Sequence, residues 1–137
     1  KDGTITQTQR MLQWHHKAVE HRGDCRSELH FFYDLGIRMR ERLATSVLQR
    51  DVPLRALTWD YPLLDGGEPD AAAVLQEING RHLSGEKQGQ MLSTFVDIKA
   101  YGSTAGGFRI YTGVYAYGFN KAALPNPGSK QPWVTTE

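Results

Sequence analysis

Cysteine is almost missing from this chain: among 137 residues there is one, Cys25. A single thiol excludes an internal disulfide. It also cannot hold an iron–sulfur cluster alone, since such clusters normally take four ligands. Long apolar runs are lacking too. No stretch of eighteen apolar residues occurs, so no segment reads as a membrane-crossing helix. There is no excess of one charge: 16 Lys and Arg against 15 Asp and Glu leave a formal net charge of +1, with the signs interspersed. That gives no electrostatic footprint for nucleic acid or an anionic membrane. No internal repeat or low-complexity tract occurs. The opening Lys1-Asp2-Gly3-Thr4 has neither an initiator Met nor the charged and apolar regions of a signal peptide. It reads as a start in mid-protein.

The residues that are present suit one soluble domain at most. Hydrophobic residues make up 39% and charged residues 23%, an ordinary soluble balance. The clearest element runs from about Ser27 to Ala44. Leu29, Phe32, Gly36, Met39 and Leu43 recur every three to four residues and fall on one helical stripe, widened by Phe31, Leu35 and Ile37. Arg38, Arg40, Glu41 and Arg42 supply the wetter face, with cations near the C-terminal end where they suit the helix dipole. Asp24 or Ser27 is placed to cap the start. A second helix is predicted from about Pro69 to Asn79. Pro69 suits the first helical position and Gly80 the position past the end, with Ala71, Val74, Leu75 and Ile78 as its apolar stripe. Between them, Val52 to Gly67 reads as a connection with a short extended run at Ala56-Leu57-Thr58-Trp59. Thr4-Ile5-Thr6 and Arg10 to Trp14 are too short for periodicity to separate strand from helix start. Phe108 to Phe119 is dense in aromatic and β-branched residues and reads as a strand or hairpin bent at Gly113 and Gly118. The tail from Pro125 to Glu137 is read as extended.

Three patterns invite chemistry. His15, His16, His21 and Cys25 are zinc-ligand types within a short span, but their spacing matches neither a finger nor a helical His pair. Histidines hydrogen-bonded to backbone or carboxylates in a packed loop are the favoured reading. The Gly102-Ser103-Thr104-Ala105-Gly106-Gly107 loop has backbone N–H groups that would suit a phosphate. It lacks the Gly-Lys-Ser/Thr ending of a P-loop, and a tight turn is favoured. Cys25 as a nucleophile has no orienting third group and no oxyanion hole. Glu28, Asp34 and Glu41 read as solvated acids of the first helix. Composition and spacing therefore give an α-plus-irregular chain and no function.

The order of several short motifs gives more. Lys1 to Arg10, KDGTITQTQR, resembles the E/K-x-G-T-x-T-N-T-E/Q-R segment of molybdopterin oxidoreductases. The continuation Leu12-Gln13-Trp14-His15, Lys17-Ala18-Val19-Glu20 and Gly23-Asp24 resembles formate dehydrogenase large subunits in particular. Ser27 to Leu43, Ala56 to Pro62, Val74 to Gly80, Gly102 to Gly107 and Ile110-Tyr111-Thr112-Gly113 resemble the longer members in the same order. The resemblance covers nearly the whole chain and weakens after about Asn126. One departure is Gln7, where the family often has Asn; the extra methylene shifts any contact its amide makes.

This resemblance implies a parent oxidoreductase that converts formate to carbon dioxide. Its metal is molybdenum or tungsten held by two molybdopterin guanine dinucleotides, with a 4Fe-4S cluster nearby. The metal-ligating Cys or selenocysteine and its His and Arg fall upstream of this region in the family. Cys25 is not assigned that role. No catalytic or metal-ligating residue is expected in this segment, and it is not expected to bind the cofactors or to be active alone. Gly3, Thr4 and Arg10 are the residues carried over as lying near the cofactor domains, Arg10 because a guanidinium binds carboxylate or phosphate bidentately. The expected partners are the remaining domains of the large subunit and an iron–sulfur electron-transfer subunit, without nucleic acid or membrane insertion. The isolated piece is expected to be able to self-associate. A periplasmic location is slightly favoured over a cytoplasmic one. The expected fold is α+β and mainly helical, with long irregular connections and a short β segment near the C-terminus, as a fragment of a multidomain enzyme. Its parts are a motif loop over 1–26, a two-helix region over 27–80, and a loop, β segment and tail over 81–137. Competing readings are a docking module for the electron-transfer subunit and a small His/Cys metal-binding protein.

Overall fold

The computed structural model describes residues 2–6, 12–108 and 110–124. The described part is α+β, with three α-helices and two two-stranded antiparallel sheets. The chain divides into two compact units, one over Val19–Ala71 and the other over Lys1–Ala18 with Ala72–Glu137.

In the Val19–Ala71 unit the main element is α1, Glu28–Leu43. Ser27 caps it, its hydroxyl accepting from the His30 N–H at 3.0 Å. This satisfies one of the donors that a helix start leaves orphaned. The helix is turned differently from the predicted stripe. Leu29, His30, Tyr33, Gly36, Ile37, Arg40 and Leu43 are half-buried or buried, whereas Phe31, Phe32, Leu35 and Met39 are exposed. The reason lies at Gly36, where the Trp59 ring rests directly on the backbone: an added Cβ would sit 2.2 Å from Trp59 Cζ3. On the same face Arg40 donates to the Leu57 carbonyl at 2.9 Å. The expected connection holds a short helix, α2, at Val52–Arg55, with Pro53 in its first turn where a missing N–H costs nothing. No strand forms at Ala56 to Trp59.

In the other unit, β1 (Gly3–Thr6) pairs with β2 (Leu12–His15) in the register Gly3↔His15 to Thr6↔Leu12. The helix α3 spans Ala71–Asn79. The strands β3 (Arg81–His82) and β4 (Thr104–Ala105) form the second ladder. The core gathers Leu12, Leu75, Val114 and Tyr115, with Trp14, Met91, Ile110, Tyr111 and Ala122 packed against it. Each fully buried aliphatic side chain contributes about 1.5–3 kcal/mol.

The strand expected at Phe108 to Phe119 is absent from the described residues there. Residues 110–117 wind through consecutive turns instead, with Tyr111 and Thr112 N–H donating to the Phe108 carbonyl, Val114 to Tyr111 and Ala116 to Gly113. Gly113 at φ +94° allows this path, and Ile110, Tyr111, Val114 and Tyr115 serve the core rather than a ladder, while Phe108, Tyr117 and Phe119 are exposed. The short β segment towards the C-terminus is β4, a few residues earlier.

Candidate functional site

Gly3 and Thr4 are ladder positions, opposite His15 and Trp14. A Cβ on Gly3 would stand 3.3 Å from His15 Nε2, so glycine lets the imidazole close over the strand. Beside it, Asp2 accepts from the Lys17 N–H at 2.7 Å, and its carboxylate lies 3.8 Å from His16 Nδ1. The Trp14 and His16 rings meet edge-on at 6.4 Å. Arg10, the third carried-over residue, lies outside the described residues.

The other histidine and thiol candidates stand on exposed chain. His21 and Cys25 are exposed, and His21 Nδ1 lies 3.2 Å from the Gly23 carbonyl. Among the described residues no group of three or more His, Cys, Asp or Glu is arranged to hold a metal ion. These residues therefore do not fit the molybdenum, tungsten or cluster sites that the resemblance implies for the parent.

The glycine loop has a structural use. Gly106 and Gly107 lie at φ +68° and +91°, and the Gly107 N–H donates to the Ile78 carbonyl at 3.1 Å. A Cβ on Gly106 would fall 2.4 Å from the Glu77 carbonyl oxygen. The loop thus clasps the C-terminal end of α3, where helix carbonyls concentrate partial negative charge. A phosphate favours the opposite end of a helix, so this geometry is a helix clasp and not an anion cradle.

Two polar clusters escaped sequence reasoning. His30 is buried, with Nε2 3.5 Å from Asp34 and Nδ1 3.6 Å from Glu68. The Ser27 hydroxyl donates to the other Glu68 oxygen. Each ring nitrogen faces its own carboxylate, so the three side chains do not converge on one point. They tie the start of α1 to the segment around Glu68. The His30–Asp34 spacing of four was a visible signal; Glu68 was not. The second cluster is Asn79, 0% exposed. Its amide nitrogen donates to the Gly80 and Leu92 carbonyls at 3.0 and 3.1 Å, and its oxygen accepts from Gly113 and Tyr115 N–H at 2.9 and 3.0 Å. All four hydrogen-bonding positions of the amide are filled. One carboxyl is perturbed. The Thr94 backbone N–H holds Asp97 below the usual carboxylate range, with the Ser93 N–H, the Thr94 hydroxyl and the Lys87 charge acting the same way and slight burial opposing them. That arrangement is a capping box around a 3-10 turn at Phe95–Asp97.

Asn79 and Asp97 satisfy the protein's own backbone, whereas His30 faces the Asp34 and Glu68 side chains and its buried Nδ1 makes no hydrogen bond among the described residues. Comparison with known proteins then gives the wider setting. No family model matches the chain. It is 32% identical over 130 residues to formate dehydrogenase subunit alpha of Megalodesulfovibrio gigas, covering 90% of this chain and 13% of that protein. It is 30% identical over 132 residues to the nitrate-inducible formate dehydrogenase major subunit of Escherichia coli (strain K12), again 90% of this chain and 13% of the relative. Formate dehydrogenase-O major subunit of the same strain matches at 26% over 133 residues. The resemblance read from the ordered motifs holds: these relatives are formate dehydrogenase large subunits, and the chain spans 13% of their length.

Proposed function

We propose that this chain is an internal, structural segment of a formate dehydrogenase large subunit, and that it supports the cofactor-carrying domains without supplying reacting groups. The parent oxidises formate to carbon dioxide, releasing two electrons, at a molybdenum or tungsten bis-pterin centre with a 4Fe-4S cluster nearby. The observation that carries this reading is the collinear similarity over 90% of the chain to large subunits of which it spans 13%. Asn79 is in keeping with it, because all four hydrogen-bonding positions of this buried amide are taken by the protein's own backbone. Gly3, Thr4 and Arg10 are the positions nearest the cofactor domains in this proposal, and an iron–sulfur subunit is the proposed electron acceptor.

The test uses the chain and its full-length parent side by side. The chain alone, given formate and an artificial electron acceptor, is expected to show no turnover and to carry no molybdenum or tungsten. The full-length protein is expected to show both. Turnover and bound metal in the chain alone overturn the proposal, as does a full-length protein with neither. The rival reading, a small metal-binding protein using His15, His16, His21 and Cys25, predicts stoichiometric zinc that falls in the His21→Ala variant.

A further inference from the structure

The helix α1 has two apolar faces, and only one is used. Its covered face carries Leu29, Tyr33, Gly36, Ile37 and Leu43. On the opposite face Phe31, Phe32, Leu35 and Met39 are 59%, 60%, 43% and 38% exposed. At about 100° per residue these four fall within an arc of about 100° of the helix circumference. Phe31 and Phe32 meet edge-on, with ring centroids 5.5 Å apart, so the aromatic end of the stripe is a preformed surface rather than two independent side chains. At roughly 200 Å² of accessible surface per large side chain, these fractions leave on the order of 400 Å² of contiguous apolar surface in water. That is the size of the largest patch on a typical monomer, a patch that is often functional. Arg38 and Arg42 are exposed on the same side of the helix, along the stripe. An apolar stripe flanked by guanidinium groups is complementary to an apolar surface edged by carboxylates.

The geometry points to one occupant. Resting on the formate dehydrogenase reading above, α1 docks by Phe31, Phe32, Leu35 and Met39 onto another part of the same large-subunit polypeptide, on an apolar surface whose carboxylates meet Arg38 and Arg42. The length of the relatives supports an occupant within the chain. The match takes up 13% of each relative, so most of the polypeptide that would surround this segment lies outside it. Phe31, Phe32 and Met39 at the centre of the stripe, with Arg38 and Arg42 beside them, give the composition of a buried interface core.

Hydroxyl-radical footprinting of the full-length large subunit, purified without other subunits, tests this without any substitution. Oxidation of Phe31, Phe32 and Met39 is read by peptide mass spectrometry in the native protein and in urea. The expected result is at least tenfold slower oxidation in the native protein, independent of protein concentration. Oxidation at the unfolded rate overturns the inference, because the face is then open. Protection that appears only when an electron-transfer subunit is added assigns the face to that subunit and also overturns it. Protection that grows with concentration assigns it to a second copy and does the same. The double variant R38E/R42E is expected to raise the oxidation rate of Phe32 and Met39 severalfold; an unchanged rate removes the carboxylate rim from the inference. The formate dehydrogenase reading is scored separately, by turnover and metal content of the same preparation, so either can fail while the other stands.

Discussion

Asn79 offers the sharpest test of how the larger unit is held together. Replacing it with Ala removes the acceptor of the Gly113 and Tyr115 N–H groups and one donor to the Leu92 carbonyl. The Gly80 carbonyl is less affected, because it also accepts from the Leu92 N–H at 2.9 Å. A buried polar group that loses its partner costs about 1–3 kcal/mol. Three such groups, softened by relaxation and by water entering the space, give an expected loss of about 3–5 kcal/mol. Against a total of about 5–15 kcal/mol for a domain, Asn79→Ala should bring the unit close to unfolding. The assay is urea unfolding followed by tryptophan fluorescence, with Trp14 packed on the core as reporter. A loss below about 1 kcal/mol would refute the hub role.

Asn79→Asp separates the two halves of the network. One carboxylate oxygen still accepts from Gly113 and Tyr115. The other replaces the donor and faces the Gly80 and Leu92 carbonyls at 3.0 and 3.1 Å. Burial and those dipoles disfavour the ionised form, so the folded pKa of the introduced Asp lies above its unfolded value. A raised folded pKa contributes stability that is fully present below the unfolded value of about 3.9 and is lost as pH rises through the folded one. The gap between the variant and the parent chain should therefore narrow on acidification. A gap that stays constant from pH 4 to pH 7 would refute the raised folded pKa and the burial and carbonyl dipoles invoked for it.

Three further outcomes follow from local geometry. Gly36→Ala in an exposed helix would stabilise by about 0.5–1 kcal/mol, but the Trp59 ring occupies the space, so a loss of about 1–3 kcal/mol is expected in thermal melts; a gain would mean the ring does not rest there. Asp97 has a depressed folded pKa, so its stabilising contribution is present above its unfolded value and lost as pH falls through the folded one. Asp97→Asn should flatten the acid limb of a stability-versus-pH profile below about pH 4, and an unchanged limb would count against the capping box. Ser27→Ala removes the α1 cap and the hydroxyl bond to Glu68, with an expected loss of about 1–2 kcal/mol by urea unfolding; Ser27→Asp, which keeps an N-cap acceptor but brings a like charge to Glu68, should not restore it fully.

The two long helices were legible because their ends carry strong local chemistry. Ser27 is a capping hydroxyl and Gly80 takes φ +88° just beyond α3, where a side chain would strike the Ala105 carbonyl. The run from Ile110 to Tyr115 misled for a physical reason: enrichment in aromatic and β-branched residues reports burial as much as strand, and here Ile110, Tyr111, Val114 and Tyr115 gather with Leu12 and Leu75 in the core. The polar clusters were invisible because they join distant residues. Asn79 binds Gly113 and Tyr115 more than thirty positions away, and Ser27 binds Glu68 at a separation of 41. No periodicity records such pairs. The family resemblance was legible through motif order alone, without any reacting group among the described residues to confirm chemistry.

The orientation of α1 is where pattern and packing part most clearly. A helix with apolar residues on one side has its inward face decided by burial. This helix has them on both: Leu29, Ile37 and Leu43 on one, Phe31, Phe32, Leu35 and Met39 on the other. By area alone the second face is the stronger candidate for burial, since Phe and Met outweigh the aliphatic set. The first face is covered nevertheless, because Gly36 admits the Trp59 ring, Arg40 reaches the Leu57 carbonyl and His30 lies between Asp34 and Glu68. Those contacts are specific and short-range. The larger apolar face has no comparable fit within Val19–Ala71 and is left exposed. A stripe that is stronger than the one it yields to suits an element with two packing duties, the inner one met by these residues and the outer one by the docking proposed above.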